Sequence, residues 1–129
     1  MSALALHFVG NLLGGGIRTT LVVQPREPVR PRYLLSRFPV DGLLLTSLVV
    51  AGIEQLAVSE EDGGSPIPVA AVLGMDLSLA TVRPDERVQL QIKNPASGNF
   101  LFEAVFVERM PHTPGEPGWE WLGTSKGTR

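Results

Sequence analysis

Apolar and polar residues alternate with a period of two along much of this chain, which is the pattern of β-strands with one buried face. The clearest case is Arg87–Lys93, where Val88, Leu90 and Ile92 alternate with polar residues. This alternation predicts a strand with one face toward a core and the other toward water or a polar partner.

A second strand is predicted at Phe100–Val107, after a turn-forming segment at Asn94–Asn99. One of its rows contains three phenylalanines, and we expect this row to lie beside the apolar row of the preceding strand, across an adjacent antiparallel pair. The opposite row contains Leu101, Val105 and Val107, so this strand is apolar on both faces. We therefore predict that the back row is covered, either by a loop of the chain or by another subunit.

Short apolar or alternating runs predict five further strands. They are Ile17–Val23, Tyr33–Phe38, Leu43–Val50, Ile67–Leu73 and Met75–Thr81, of which the fourth is weakened by Pro68. The chain also contains 14 glycines and 11 prolines, which leave few windows where a helix would be stable. Together these features predict an all-β fold, an antiparallel two-sheet β-sandwich of jelly-roll-like type, with a small barrel as the alternative.

The two ends of the chain differ from the middle. We predict a sandwich domain over residues 17–110, preceded by an N-terminal arm at residues 1–16 that is either a short helix or mobile. The arm ends in a hinge of three glycines, Gly14–Gly16. Residues 111–129 are predicted to form an extended tail, because three prolines restrict the backbone there and disfavour helix.

Both tryptophans, Trp119 and Trp121, lie in this tail. Three interpretations are open: the rings cap their own domain, they dock on a neighbouring subunit, or the tail is disordered. Large amphipathic rings are good interface anchors, which favours the second interpretation as a hypothesis about function. The candidate subunit interface then consists of Leu101, Val105, Val107, Trp119 and Trp121.

Composition excludes several classes of function. The chain has 129 residues, a formal net charge of −2 and no cysteine. The charge argues against a general nucleic-acid binder, and the lack of cysteine excludes disulfides and thiolate chemistry. A local cluster of four arginines is expected to pair with acidic neighbours, and is a possible acceptor for Glu116 and Glu120 if the tail docks on another subunit. The cluster consists of Arg26, Arg30, Arg32 and Arg37.

The sequence predicts no catalytic, cofactor-binding or metal-binding residues, and hence no enzyme. His7 and His112 lack acidic or histidine partners at the spacing of metal ligands. Ser47 and Ser78 are interpreted as packing positions within strands, and the acidic run at residues 60–64 as a solvated loop. No apolar run approaches the roughly 20 residues of a membrane helix, so we expect no membrane span.

The order of motifs in the second half resembles small β-sandwich structural proteins of bacteriophages. The resemblance is carried by Ile53–Leu56, Ile67–Val72, Asp76–Asn94 and Phe100–Val107, within residues 43–109. In that family a polar turn leads through a proline–alanine segment and a "thr-val-x-pro" turn to a "val-x-leu-x-val-x-asn" strand. Asp85 stands where the family usually has glycine after the proline.

The resemblance implies a capsid-type or decoration-type protein of a virus particle, assembled in the host cytoplasm. Its partners would be copies of itself and other structural proteins. Two alternatives remain open: a carbohydrate-binding or adhesion sandwich, and an accessory subunit of a bacterial complex. The first usually has exposed aromatic residues on a sheet face, whereas aromatic residues make up only 6% of this chain.

Overall fold

The described chain forms eight strands in two sheets, and the longer strands bury apolar side chains between the sheets. The computed structural model describes residues 5–37, 40–57 and 66–121. The strands are β1 (Ala5–Leu12), β2 (Ile17–Val23), β3 (Tyr33–Ser36), β4 (Leu44–Val50), β5 (Ile53–Ala57), β6 (Ile67–Pro68), β7 (Val88–Asn94) and β8 (Phe100–Val107). One helical turn, α1 (Val69–Val72), follows β6, and a short 3-10 helix spans Trp119–Trp121.

The strands form a three-stranded sheet in the order β1-β8-β3 and a five-stranded sheet whose main path is β2-β7-β4-β5. The short strand β6 also pairs with β4. All pairs within the sheets are antiparallel. The predicted all-β sandwich is therefore confirmed.

A two-stranded ribbon runs continuously through both sheets. In the first sheet β1 pairs with β8, from Ala5 opposite Val107 to Leu12 opposite Phe100. Both strands then cross to the other sheet, where β2 pairs with β7 from Ile17 opposite Asn94. An antiparallel bridge between Val29 and Val82 extends the same ribbon. The two halves of the ribbon thus turn the corner of the sandwich together.

The core lies between the inner faces of the two sheets. Val88, Leu90 and Ile92 of β7 are buried there, as the alternation predicts, and they belong to the same apolar cluster as Phe102 and Phe106 of β8. The ring of Phe106 meets that of Phe8 edge-on, with centroids 6.0 Å apart. Phe8, Phe102 and Phe106, like the three apolar residues of β7, are almost completely buried in this cluster.

The sheets approach closely beside Gly10 of β1. A Cβ at this position would lie 2.3 Å from a methyl group of Leu21 on β2. Only glycine fits without displacing Leu21, because contacts of that length are strongly repulsive. The gap in the apolar alternation of β1 is therefore filled by a side chain from the other sheet.

A buried asparagine fixes the corner where the ribbon changes sheets. The Asn94 amide nitrogen donates to the carbonyl oxygens of Leu12 (3.1 Å) and Gly98 (3.0 Å), and its side-chain oxygen accepts from the N–H of Ala96. These bonds join the end of β1 to the loop after β7. Because the amide is buried, its hydrogen-bonding groups are satisfied by the protein itself.

Two predictions about local structure are wrong. Strands β7 and β8 do not form an adjacent pair: the loop at Asn94–Asn99 crosses between sheets, so their apolar rows face each other across the core. The described part of the N-terminal segment is neither helix nor mobile arm. Residues Ala5–Leu12 form an edge strand with eight residues in register with β8.

Two other segments also differ from the prediction. Ile67–Leu73 contains only the short β6 and then the helical turn α1. Met75–Thr81 is not a strand, because Asp76 forms a local turn by accepting hydrogen bonds from the N–H and hydroxyl of Ser78. Ser78 has a φ of 51° and is exposed, so it is not a packing position. Phe38, at the end of the predicted third strand, lies outside the described residues.

Candidate functional site

The outer face of the three-stranded sheet carries a second apolar cluster. Outward residues of β3 and β8 (Leu35, Val105 and Val107) are buried in it. Ala5, Tyr33, Met110 and Trp121 pack against them. The chain therefore covers most of the back row of β8 itself.

The described part of the tail covers this outer cluster. Gly118 passes directly over this cluster: a Cβ there would lie 2.4 Å from a methyl group of Leu35 and 3.5 Å from one of Val105. Its φ of 85° also requires the left-handed backbone that glycine adopts readily. The tail can thus approach the sheet closely enough for Trp121 to reach the cluster.

The five candidate interface residues therefore differ in how far this chain itself buries them. Val105 and Val107 are buried under this chain's own tail, and the expectation that they lie at a subunit contact is corrected. Trp119 and Trp121 are half-buried, and Trp121 packs on its own domain, as in the capping interpretation. Leu101 alone among the five is exposed, at 54%.

The tail is folded into turns rather than extended. The Glu116 carboxylate accepts hydrogen bonds from the Thr113 hydroxyl (2.8 Å) and the His112 N–H (3.3 Å), and it lies 3.5 Å from the Arg109 guanidinium. The Thr113 hydroxyl bond is the main cause that lowers the pKa of Glu116. Glu116 thus pairs within the tail rather than with the arginine cluster.

We expect Trp121→Ala to lower the free energy of unfolding by about 1–2 kcal/mol, because a half-buried ring leaves the apolar cluster. Trp119→Ala is the matched control, since Trp119 does not belong to that cluster, and its effect should be smaller. Chemical denaturation of the two variants measures the difference. Equal losses would contradict a capping role specific to Trp121.

A polar network crosses the same outer face. Glu103 of β8 lies between two basic side chains: its Oε2 is 2.8 Å from Nε2 of His7, and its Oε1 accepts a 2.9 Å hydrogen bond from Arg37. The hydrogen bond from Arg37 is the main cause that lowers the pKa of Glu103, and His7 adds to it. The His7 ring also lies 6.1 Å from that of Trp121. No sequence spacing indicates this network, because it depends on the β1–β8 register.

The arginine cluster pairs in part with acidic neighbours, as expected. Arg32 forms an ion pair with Asp76, and its guanidinium lies over the Tyr33 ring, 5.2 Å from the centroid. Glu108 accepts a hydrogen bond from the N–H of Arg30. The hydrogen bond from Arg32, followed by that from the Ser78 N–H, lowers the pKa of Asp76 to about 2.

This shift predicts a pH dependence of stability. The folded-state pKa of Asp76 is below its ordinary value of 3.8, so the carboxylate stabilises the fold fully above pH about 4. That contribution is lost as the pH falls from about 4 to about 2. Asp76→Asn should therefore be less stable than the wild type at neutral pH, and the difference should shrink over this range. A constant difference in denaturation midpoint across the same pH range would contradict the assignment.

Exposed apolar side chains concentrate at one edge of the sandwich. Strands β1 and β2 are the edge strands of their two sheets and follow each other in the chain. Four exposed side chains lie along residues 9–22, and Leu101 lies on β8 beside Asn11. The four are Val9, Leu13, Ile17 and Val22, each between 48% and 54% exposed. We call this set the β1–β2 edge.

The outward face of the five-stranded sheet is mainly polar. Thr20 of β2 accepts a hydrogen bond from the Gln91 amide, and the Thr46 hydroxyl contacts the main-chain and side-chain oxygens of Gln91 at 3.0 Å. Thr46 lies at a bulge in β4, which turns its side chain toward this network. Ser47 of the same strand is half-buried, which fits its interpretation as a packing position.

Other candidate sites have no clear ligand chemistry. An open groove of about 760 Å³ lies where β1 begins and β2 ends, and its lining includes His7, Arg26 and Glu27, so its charges are mixed. Within the described residues, no group of three or more acidic or histidine side chains is arranged to hold a metal ion. The acidic run at residues 60–64 lies outside the described residues.

No helix in the described ranges is long and apolar enough to cross a membrane. No protein-family model matches the sequence, and neither the curated proteins nor the solved structures include a significant match to it.

Proposed function

We propose that this chain is a non-enzymatic structural protein of a bacteriophage particle. It acts through contacts with copies of itself and with other structural proteins, as a capsid, decoration or minor virion component. The β-sandwich fold agrees with the family resemblance of residues 43–109. The observation that carries the proposal is the β1–β2 edge.

This edge combines two properties that subunit contacts use. The unpaired side of an edge strand presents N–H and C=O groups that can pair with another chain. Five of the seven exposed large apolar side chains described lie on the β1–β2 edge or beside it, at Leu101. Val9 and Leu101 share the outer face of the three-stranded sheet, at diagonal positions of the β1–β8 pair, and apolar side chains gathered in this way mark an interaction site.

The contact surface differs from the one predicted from the sequence. The back row of β8 is largely buried under Trp121 and its neighbours, so the tail stabilises its own domain. Leu101 remains available and lies next to the β1–β2 edge. The proposed interface therefore moves from the tail to the β1–β2 edge and the adjacent Leu101.

The proposal is tested with the full-length protein and with purified particles from cells that express it. Light scattering and electron microscopy of the protein should detect discrete assemblies, and immunogold labelling should place it on the particles. A protein that stays monomeric at all concentrations, is missing from particles and binds a glycan would overturn the proposal in favour of the carbohydrate-binding alternative. A stable complex with bacterial proteins only would instead favour the accessory-subunit alternative.

A further inference from the structure

Strand β1 is unusual for the edge of a sheet. It has eight residues, and none of them is Lys, Arg, Asp or Glu. Natural proteins usually protect long edges with charges, prolines, bulges or a covering segment, because an unprotected edge pairs with other strands. Within the described residues, β8 is the only strand that pairs with β1. None of the usual protections is present in β1 itself.

The other edges of the sandwich are better protected. Strand β2 carries Arg18, which lies beside Lys93 of β7 in the sheet register. Strand β3 has only four residues, and three of them are buried. Strand β5 begins with the exposed Ile53 but carries Glu54 next to it. Among these edges, β1 is the longest and the only one without a charged residue or a large buried fraction.

We propose that β1 pairs antiparallel with β1 of a second copy of this chain, across a two-fold axis near Val9–Asn11. The inference deepens the proposed function, on which it rests, by specifying one subunit contact. The two three-stranded sheets then form one continuous six-stranded sheet. In a two-fold contact each copy presents the same surface, so that surface must be compatible with itself.

The chemistry of β1 meets this requirement. Because the strand has no Lys, Arg, Asp or Glu, no antiparallel register opposes two such like charges. The exposed outward side chains of the strand are His7, Val9 and Asn11, with Leu13 just beyond. In a register centred near Val9, the two copies of this valine become cross-strand neighbours. Leu101 then extends the apolar surface on each side.

Charge also favours a second copy over a strongly charged partner strand. The one titratable side chain of β1, His7, already contacts Glu103, which in turn binds Arg37. The Arg37–Glu103 ion pair therefore leaves no unpaired carboxylate beside β1 on the outer face of the sheet. The edge therefore offers backbone groups and neutral side chains, which suit an identical neutral strand.

Cysteine cross-linking tests the pairing directly, because the natural chain has no cysteine. Val9→Cys and Asn11→Cys place a single thiol on the outward face of β1, and Ile53→Cys is a matched control at an exposed apolar position of the edge strand β5. Disulfides require Cα atoms within about 7 Å, so only residues that face their own copy can cross-link. Oxidation should give covalent dimers for one of the β1 variants, or for a mixture of the two if the register is intermediate. The control should remain monomeric.

Val9→Lys provides an independent measurement. Two lysines opposite each other at the dyad should weaken dimerisation by about tenfold or more, whereas Ile53→Lys should not. If Val9→Lys lowers the melting temperature of the monomer, Asn11→Lys replaces it, because Asn11 is exposed and outside the apolar core. Unchanged dimerisation in the β1 lysine variants, together with no cross-link from β1, overturns the pairing.

The outcomes separate this inference from the proposed function. Wild-type assemblies that form without any cross-link from the β1 cysteine variants would overturn the β1 pairing and leave the structural function in place. A wild-type chain that is monomeric at all concentrations and missing from particles would overturn both.

Discussion

Leu90→Ala should lower the free energy of unfolding by about 2–5 kcal/mol. Leu90 is 1% exposed and lies in the row of β7 that faces the phenylalanines of β8 across the core. Removing three carbon atoms there loses burial and leaves a cavity that the two sheets cannot close, because each is held by its own hydrogen bonds. Chemical denaturation of the full-length variant measures the loss.

Gln89→Ala is the matched control for this prediction. Gln89 is the neighbour of Leu90 on the same strand, but its side chain points to the outer face and is half-buried. Its replacement should change stability by less than about 0.5 kcal/mol, as is usual for surface positions. A Leu90→Ala loss as small as that of the control would mean that the inner face of β7 is wrongly assigned.

Val105→Lys should destabilise the domain by about 3–5 kcal/mol, because it places an unpaired ammonium under the tail. Val105 is 5% exposed and lies in the cluster with Leu35 and Val107. The lysine must either be buried without a partner or displace Trp121 from the sheet. Both outcomes lower the free energy of unfolding, which thermal and chemical denaturation report.

Leu101→Lys tests the same face of the same strand without this penalty. Leu101 is exposed, so its replacement should leave the stability of the monomer within about 0.5 kcal/mol of the wild type. The comparison distinguishes a residue of the domain's own core from a residue on its surface. If the two lysine variants have equal free energies of unfolding, Val105 is not in the domain's own core, and its assignment to a subunit interface is favoured instead.

Period-two alternation predicts which residues of this chain face a core, but not which sheet a strand joins. Strand β8 has the bounds predicted from its sequence, and β7 is shifted by one residue. The predicted pairing of the two strands is wrong because the five-residue loop at residues 95–99 can close a hairpin or cross a sandwich equally well. The deciding group is the buried Asn94 side chain, whose partners are Leu12 at the end of β1 and Gly98 in the loop after β7.

Strand β1 was missed for a different reason. Its inward row reads Leu6, Phe8, Gly10 and Leu12, and the glycine interrupts the apolar alternation. The side chain that fills the gap is Leu21, which belongs to the opposite sheet. Conversely, Met75–Thr81 alternates well but is not a strand, because Arg32 and Ser78 hold Asp76 in a turn.

The candidate interface could be predicted only in part. The apolar back row of β8 indicated correctly that something covers it, but the cover is the tail of the same chain. A tryptophan in a segment rich in proline and glycine can dock on its own domain or on a neighbour, and the sequence alone does not distinguish the two. The β1–β2 edge becomes apparent only when the sheet order is known.

The continuous ribbon also determines how this chain can fold. Because Ala5 pairs with Val107, the first and last strands of the ribbon meet only after almost the whole domain has been synthesised. Such distant pairings carry a high entropic cost of loop closure, and sandwiches of this kind typically fold in milliseconds to seconds. During translation β1 emerges from the ribosome long before β8 can cover it. This strand, which has no Lys, Arg, Asp or Glu, therefore remains unpaired at the stage when nascent chains are most prone to aggregate.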